Sequence, residues 1–214
     1  MFIIFIEMKI LVIAAMPAEL KHIKEWIKSA NIKSKMDIDY LCTWVWNYET
    51  IFSLENYLSR VDEKVFVLNM WLCWYWNNSN EKKHDLIQIS SIINLYNKKE
   101  LIAPPYLEIT HMKTCISSEE AIFGKSNQLN FITNDELYFD MESWWIWFVC
   151  SKHKIPYLIL KLPFDFIGNE TSSLFNEKWN INKELINKSC ESLRDLPYNN
   201  YLNRILNRIK QQEM

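Results

Sequence analysis

Three carboxylates in the stretch from residue 138 to 165 have the types and spacing of a site that could perform chemistry. Asp140 and Glu142 flank a methionine just before a helix-like apolar segment. Asp165 follows the run Tyr157–Pro163, which predicts a buried strand. Ligands of α/β proteins bind at the carboxyl ends of strands, so acids delivered there by two elements indicate a site rather than a surface. The alternative interpretation is a solvated helix N-terminus followed by a turn residue.

Strand-like and helix-like segments alternate along the chain, which predicts an α/β fold: a single domain with a central mixed β-sheet flanked by helices. We expect this domain to span residues 1–214, with Met8 as an alternative start and residues 1–7 as an upstream extension. The predicted strands are Lys9–Ala15, Asp37–Cys42, Lys64–Asn69, Asp85–Ile93, Glu108–Ser117 and Tyr157–Pro163. The predicted helices are one from Pro17 with Leu20, Ile23 and Ile27 facing the core, Tyr48–Arg60, one after Glu142, Lys178–Cys190 and Tyr198–Gln211.

Composition and charge exclude several classes of function. The formal net charge is −2 over 214 residues, so no electrostatic attraction to nucleic acid or to an anionic membrane is expected. The apolar N-terminus is interrupted by Glu7 and Lys9, and it is too short to span a bilayer. Five widely spaced cysteines without a C-x-x-C pair, and four histidines without ligand spacing, predict no disulfide framework, no metal and a reducing, cytoplasmic setting. We expect no cofactor.

Glycine and tryptophan are present in abnormal proportions. The chain has two glycines against ten tryptophans, whereas an average chain carries about 7% glycine. An α/β fold needs glycine where the backbone must adopt positive φ or approach another chain segment closely. Tryptophans occur at positions 44, 46, 71, 74 and 76, where turns after strands are expected.

Five short motifs between Met8 and Asp165 carry a family resemblance. They are MKILVIAAMPAELKHI from Met8, Thr43-Trp44-Val45-Trp46, Asn69-Met70-Trp71-Leu72-Cys73-Trp74, Asp140-Met141-Glu142, and the strand from Pro156 to Asp165 with Phe164 before the acid. Their order and spacing resemble those of the 5'-methylthioadenosine/S-adenosylhomocysteine nucleosidases, within the nucleoside phosphorylase superfamily. The resemblance covers about three quarters of the chain.

The resemblance also gives the tryptophans an explanation. The family has glycine at positions 44, 46, 71 and 74, and glycine or alanine at 145, and tryptophan stands at each of them here. We hypothesise that UGA is read as glycine in the native cell and has been translated as tryptophan. If the tryptophans are real, each would bury ~150–250 Å² of side chain where the ligand and the backbone should meet.

The resemblance implies hydrolysis of the N-ribosyl bond of a purine nucleoside. Glu19 would be the base that activates water, and Asp165 would protonate N7 of the leaving purine; the alternative for Glu19 is a solvated acid in the first turn of a helix. Glu142, and more weakly Asp140, would bind the ribose hydroxyls. The residues implied to contact substrate are Met16, Leu72, Ile122, Phe123, Asp140, Met141 and Glu142. Members of the family are commonly homodimers.

Two other functions remain open from the sequence. A phosphate-dependent nucleoside phosphorylase would need cations for the phosphate, but none of the four arginines, Arg60, Arg194, Arg204 and Arg208, lies in a matched motif. A catalytically inactive nucleoside-binding relative would fit the tryptophans if they are real, together with Leu72 and Phe164 in place of polar residues. A dinucleotide-binding enzyme is disfavoured, because no G-x-G-x-x-G follows the first strand.

Overall fold

The computed structural model describes residues 8–29, 37–44, 47–77, 86–102, 110–119 and 136–166. Helices and strands alternate through these ranges. The helices are α1 Pro17–Ser29, α2 Asn47–Leu58 and α3 Ser143–His153. The strands are β1 Lys9–Ala14, β2 Ile38–Cys42, β3 Val65–Asn77, β4 Ile87–Asn94, β5 Lys99–Ile102, β6 Met112–Ser117, β7 Glu136–Asp140 and β8 Tyr157–Phe166.

The first three strands form a parallel unit with β1 in its centre. Val12 lies opposite Tyr40 of β2 and Leu68 of β3. Parallel strands that are covered on both faces have nearly continuous apolar sequences, and KILVIA in β1 and VFVL at the start of β3 have this character. The carboxyl ends of β1 and β2 therefore meet at one edge of the sheet.

Five strands close into a circuit beyond this unit. β3 continues past the end of β1 and pairs with β7 antiparallel through Trp74–Asn77, while its other side pairs with β8 in parallel. β8 pairs with β4, β4 with β6, and β6 with β7. The path β3–β7–β6–β4–β8 thus returns to β3 as a small barrel, and β5 extends the sheet outside it.

The side chains of β1 alternate between two cores, as expected from the two-residue period of a strand. Even-numbered residues pack with α1, and odd-numbered residues pack in the cluster that contains residues of α2 and α3. The first cluster includes Ile10, Val12, Ala14, Leu20, Ile23 and Ile27. The second includes Leu11, Ile13, Leu54, Ile146 and Val149.

The predicted fold class is confirmed, since the chain forms a mixed sheet with helices packed against it. The predicted inward residues of α1 are confirmed as well, because Leu20, Ile23 and Ile27 are all buried. The prediction for residues 71–76 is wrong, because they continue β3 as a strand instead of forming a turn. Aromatic and aliphatic side chains favour the extended conformation, and pairing with both β7 and β8 satisfies the backbone there.

Two strands were not predicted from the sequence, β5 at Lys99–Ile102 and β7 at Glu136–Asp140, and three predicted segments cannot be compared. β7 is only five residues long, and its last residue, Asp140, is the first acid of the acidic motif. The predicted loop 126–134 and the predicted helices Lys178–Cys190 and Tyr198–Gln211 lie outside the described residues. Across the described ranges, every helix is too short or too polar to cross a bilayer.

Candidate active site

Three carboxylates and one lysine are buried together near the carboxyl ends of β1 and β7. Glu19 comes from α1, Asp140 ends β7, Glu142 immediately precedes α3, and Lys161 lies on β8. All four are at most 6% exposed. Charged side chains are almost never fully buried unless they are paired, so four at one place form a site and not a surface.

Glu19 uses one carboxylate oxygen to cap its own helix. Its Oε2 accepts a hydrogen bond of 2.6 Å from the Met16 N–H, which is the reach-back from the third helical residue to the N-cap in a capping box. Its Oε1 is also buried and has no hydrogen-bond partner among the described residues. The solvated alternative for Glu19 is therefore wrong, and one oxygen remains for a ligand.

The environment of Glu19 favours the protonated form. Burial raises the pKa of Glu19 well above its ordinary value, and the Met16 N–H opposes this effect. The charge of Glu142 raises the pKa further, while the charge of Lys161 lowers it. A raised pKa makes the ionised carboxyl a stronger base than an ordinary glutamate.

Asp140 is held by the start of α3. Both of its oxygens accept from the Ser143 N–H, at 3.2 and 3.3 Å, and the Ser143 hydroxyl donates to Oδ2. The same helix end is tied to β6, because the Ser117 hydroxyl accepts from the Trp144 N–H at 3.2 Å. The Asp140 backbone carbonyl also accepts from the Ser118 N–H. The solvated alternative for Asp140 is therefore wrong.

Lys161 is the member of the buried cluster that the sequence prediction did not name. Its ammonium nitrogen Nζ lies 2.7 Å from Asp140 Oδ2 and 3.7 Å from Glu142 Oε2. The signal in the sequence was a single lysine inside the predicted buried run Tyr157–Pro163, because a buried charge requires a partner of opposite charge. Ser143, the first residue of α3, was missed too, although its amide and hydroxyl both donate to Asp140.

Glu142 has two charged neighbours that shift its pKa in opposite directions. Burial raises the pKa of Glu142 to about 7, Lys161 acts to lower it, and Asp140 acts to raise it. Burial alone would lower the pKa of Lys161, but Asp140 and Glu142 more than offset this and raise it. Lys161 is therefore an ammonium ion at neutral pH, and Glu142 exchanges its proton in the physiological range.

The other predicted site residues are described to different extents. Met141 is buried between the two acids, and Met16 and Leu72 are partly buried. The backbone of Asp165 pairs with Trp74 in the sheet, but its side chain lies outside the described part of the chain. Ile122 and Phe123 also lie outside the described residues.

The turn after β2 places a tryptophan in an unusual conformation. Thr43 is buried, and its N–H donates to the Ala14 carbonyl at the end of β1. The next residue, Trp44, has φ of 61° and is 52% exposed. Left-handed backbone is routine for glycine but an outlier for a bulky residue.

Metal ligands are not gathered at this site. Within the described ranges, no group of three or more histidine, cysteine, aspartate or glutamate side chains is arranged to hold a metal ion. The carboxylates instead have a lysine as counter-ion, so charge in the described part of the cluster is balanced by protons and an ammonium group.

Comparison with known proteins identifies the fold. Neither a protein-family model nor a curated protein sequence matches the chain. Solved structures do match: a Streptococcus pneumoniae MTA/SAH nucleosidase in complex with 8-aminoadenine has a TM-score of 0.62 at 13% identity, covering 86% of this chain and 96% of its own. A Helicobacter pylori MTA/SAH nucleosidase mutant with 5'-methylthioadenosine in the active site has a TM-score of 0.61 at 13% identity, covering 87% and 98%.

A third similar structure widens the range of activities found on this fold. A futalosine hydrolase mutant of Helicobacter pylori has a TM-score of 0.61 at 13% identity, and the match covers 88% of this chain and 99% of that chain. At sequence identities this low, structural similarity establishes the architecture alone, and function must be argued from the site. The chain therefore has the nucleoside phosphorylase-like fold of the 5'-methylthioadenosine/S-adenosylhomocysteine nucleosidases.

Proposed function

We propose that this protein is a nucleosidase that hydrolyses the N-ribosyl bond of a purine nucleoside such as 5'-methylthioadenosine or S-adenosylhomocysteine. The observation that carries the proposal is the buried cluster of Glu19, Asp140, Glu142 and Lys161. Breaking this bond leaves positive charge on the sugar and negative charge on the departing purine. Carboxylates beside the sugar and an acid beside the base would stabilise both. Structures with this fold that hold 5'-methylthioadenosine or 8-aminoadenine support the choice of ligand.

Glu19 is our candidate for the base that activates the attacking water. Its Oε2 is fixed by the Met16 N–H, so the carboxyl group has one orientation. Its buried Oε1 has no partner in the described part of the chain and can accept a hydrogen bond from water. General base assistance of this kind contributes ~10²–10⁴-fold to a rate. Met16, partly exposed beside it, would contact the substrate.

Glu142 is our candidate for the residue that binds the ribose. As a carboxylate it would accept hydrogen bonds from the ribose hydroxyls and stabilise the cationic sugar electrostatically. Met141 would pack under the ribose ring. The oxygens of Asp140 already bond to Ser143 and Lys161, which supports a role in holding Lys161 and makes Glu142 the better ribose ligand of the two.

The residues assigned to contact the purine are named from the sequence resemblance. Asp165, near the end of β8, would donate a proton to N7 of the leaving purine. Ile122 and Phe123 would lie against the purine ring, and Leu72 on β3 would line the same side of the site. These four residues would determine which nucleoside is preferred. The resemblance favours an adenine nucleoside.

Water is favoured over phosphate as the nucleophile by the charge of the cluster. Two carboxyl groups pair with a single ammonium group, and Glu19 lies near enough for the charges of Glu142 and Lys161 to shift its pKa. A phosphate dianion would be repelled unless further cations joined it. Arg60, the one arginine in the described ranges, lies at the C-terminal end of α2 and lines a surface groove with Phe52, Tyr57 and Val61. The described site therefore lacks the planar guanidinium groups that suit phosphate.

The proposed nucleosidase activity requires glycine at residues 44, 46, 71 and 74 in the native protein. The left-handed backbone at Trp44 supports glycine there, because glycine adopts φ near 61° without steric cost. Residues 71 and 74 lie in β3, so their support comes from composition and from the resemblance alone. Peptide mass spectrometry of native protein over residues 43–47 and 70–77 would distinguish glycine from tryptophan at each position.

We also propose that the protein is a cytoplasmic homodimer. Large aromatic side chains are exposed one turn apart on α2, at Tyr48 and Phe52, and Phe148 is exposed on α3. Exposed apolar patches mark interaction sites, and a second copy would cover them. Free cysteines at the four described positions support a reducing compartment. Light scattering of the purified protein would give the oligomeric state.

The activity test uses the full chain with the substitutions W44G, W46G, W71G and W74G and 5'-methylthioadenosine as substrate. We expect release of adenine and 5-methylthioribose at a rate that does not depend on phosphate. Release that requires phosphate and gives a sugar 1-phosphate would replace the proposal with a phosphorylase. Binding of the nucleoside without release, in both the glycine and the tryptophan forms, would replace it with an inactive relative.

A further inference from the structure

Lys161 has a position that ordinary ion pairs at a protein surface do not have. It is fully buried on β8, where its backbone pairs with Trp71 of β3 and Ile87 of β4, so it belongs to the closed circuit of strands. Burying an ammonium group that has no partner of opposite charge strongly destabilises the folded protein. A chain that places lysine here needs the charge for something other than solubility.

The two carboxylates near Lys161 are bound unequally. Asp140 is 2.7 Å from Nζ and is anchored from the other side by the amide and hydroxyl of Ser143. Glu142 is 3.7 Å from Nζ and makes no side-chain cap hydrogen bond to α3. Lys161 and the Met141 N–H are the hydrogen-bonding groups that lower its pKa. Asp140 is therefore the close partner that fixes the ammonium group, and Glu142 is the more loosely held of the two acids.

We propose that Lys161 is a positioning residue: anchored by Asp140, its ammonium group keeps the neighbouring Glu142 in the carboxylate form that a substrate's ribose hydroxyls and a cationic sugar require. The inference rests on the proposed function, since it assigns the ribose to Glu142. It also divides the two acids of the Asp-Met-Glu motif into an anchor and a ligand, which their spacing in the sequence does not do.

The other groups that face Glu142 act against ionisation. Glu19 from α1 and Asp140 are acids, and the repulsion between Glu142 and each of them disfavours two charges. Burial raises the pKa of the Cys73 thiol on β3 and of the Cys115 thiol on β6, so both are neutral. Lys161 is thus the one described cation among the groups that shift the pKa of Glu142.

The test follows the ionisation of Glu142 directly, without turnover. The full chain is labelled with glutamate carrying ¹³C at the side-chain carboxyl, and the signal of Glu142 is assigned by its loss in Glu142→Gln. Its chemical shift is then followed from pH 5 to pH 9 in the unsubstituted protein, in Lys161→Met and in Lys161→Arg. Methionine preserves much of the side-chain volume without the charge, and arginine preserves the charge.

We expect the titration midpoint of Glu142 to rise by about 1–3 pH units in Lys161→Met, the usual effect of losing an opposite charge at this distance. Lys161→Arg should return it towards the value of the unsubstituted protein. A folded Lys161→Met protein with an unchanged midpoint would overturn the inference, because the lysine would then be a structural partner of Asp140 only. If Lys161→Met does not fold, Asp140→Asn/Lys161→Met removes the pair together, and a smaller rise is expected.

Turnover separates this inference from the proposed function. If the protein releases adenine, the acid limb of the pH profile of kcat/KM should move to higher pH in Lys161→Met and return in Lys161→Arg, because this limb reports the free enzyme. A loss of folding stability alone would lower the rate at all pH values without moving the limb. If no nucleoside is cleaved but the carboxyl signal moves as expected, the charge relation stands and the proposed function is wrong.

Discussion

Glu19 and Glu49 occupy equivalent positions in two helices, since each is an acid in a first turn, but Glu19 is buried and Glu49 is exposed. This difference gives a matched pair of substitutions. We expect Glu19→Gln to lower kcat by ~10²–10⁴-fold, because it removes the proposed base, and Glu49→Gln to leave kcat unchanged. Steady-state kinetics with the glycine-bearing chain measures both. Equal rates for the two variants would show that Glu19 only caps α1.

The raised pKa values of Glu19 and Glu142 make folding stability depend on pH. Each carboxyl binds its proton more tightly in the folded chain than in the unfolded chain, so the folded state holds more protons above pH 4.5, the ordinary value. Their contribution to the free energy of unfolding is fully present below that value and is lost as pH rises through about 7 for Glu142.

For Glu142 alone the decrease should be about 3 kcal/mol between pH 4.5 and pH 8. Urea unfolding at a series of pH values in this range measures it. The Glu142→Gln protein, which cannot lose a proton there, should have a correspondingly flatter curve. A curve that keeps its full slope after this substitution would contradict the assignment.

Single residues of the site could be predicted from the sequence only where a motif contained them. Asp140 and Glu142 stood together beside a predicted helix, and their burial together is consistent with that prediction. Lys161 belongs to no local pattern, because its partners are about twenty residues away in sequence and meet it only through β7 and β8. A lysine in an apolar run signals a buried partner but does not identify it.

The start of α3 is the element that holds the acidic motif in place. Ser143 donates its amide and its hydroxyl to Asp140. Ser143→Ala removes only the hydroxyl, and it should lower the free energy of unfolding by about 1–3 kcal/mol, the usual cost of losing a buried hydrogen bond to a charged group. Ser151 is exposed in the last turns of the same helix, and Ser151→Ala is the control. Chemical denaturation measures both, and equal losses would argue against a stabilising role for the bond from the Ser143 hydroxyl to Asp140.

At the level of elements, long apolar patterns were predicted correctly and context-dependent segments were not. β1 and α1 have strong two-residue and helical periods, and their observed bounds differ from the prediction by at most one residue at the ends that were predicted. β3 is longer than predicted because two distant strands, β7 and β8, pair with its second half. Pairing between strands that are distant in the chain cannot be detected in a short stretch of sequence.

The whole molecule should resist local opening most strongly around β3. This strand pairs with β1, β7 and β8 and contributes to both main cores, whereas β2 and β5 have described partners on one side only. We expect the amide hydrogens of Phe66–Leu68 to exchange most slowly and those of β2 and β5 much faster. Exchange measured by NMR tests this, and equal protection of β2 and β3 would contradict it.

The closed circuit of strands also determines when the site can exist during protein synthesis. Glu19 leaves the ribosome early, whereas Lys161 is on β8, the last described strand, and β8 completes the circuit by joining β3 to β4. Until then the nascent chain has acids without their counter-ion, and water must solvate them. A ribosome-bound chain that stops before β8 should therefore be inactive even if β1, α1 and β3 have folded, and activity should appear only with the final closure.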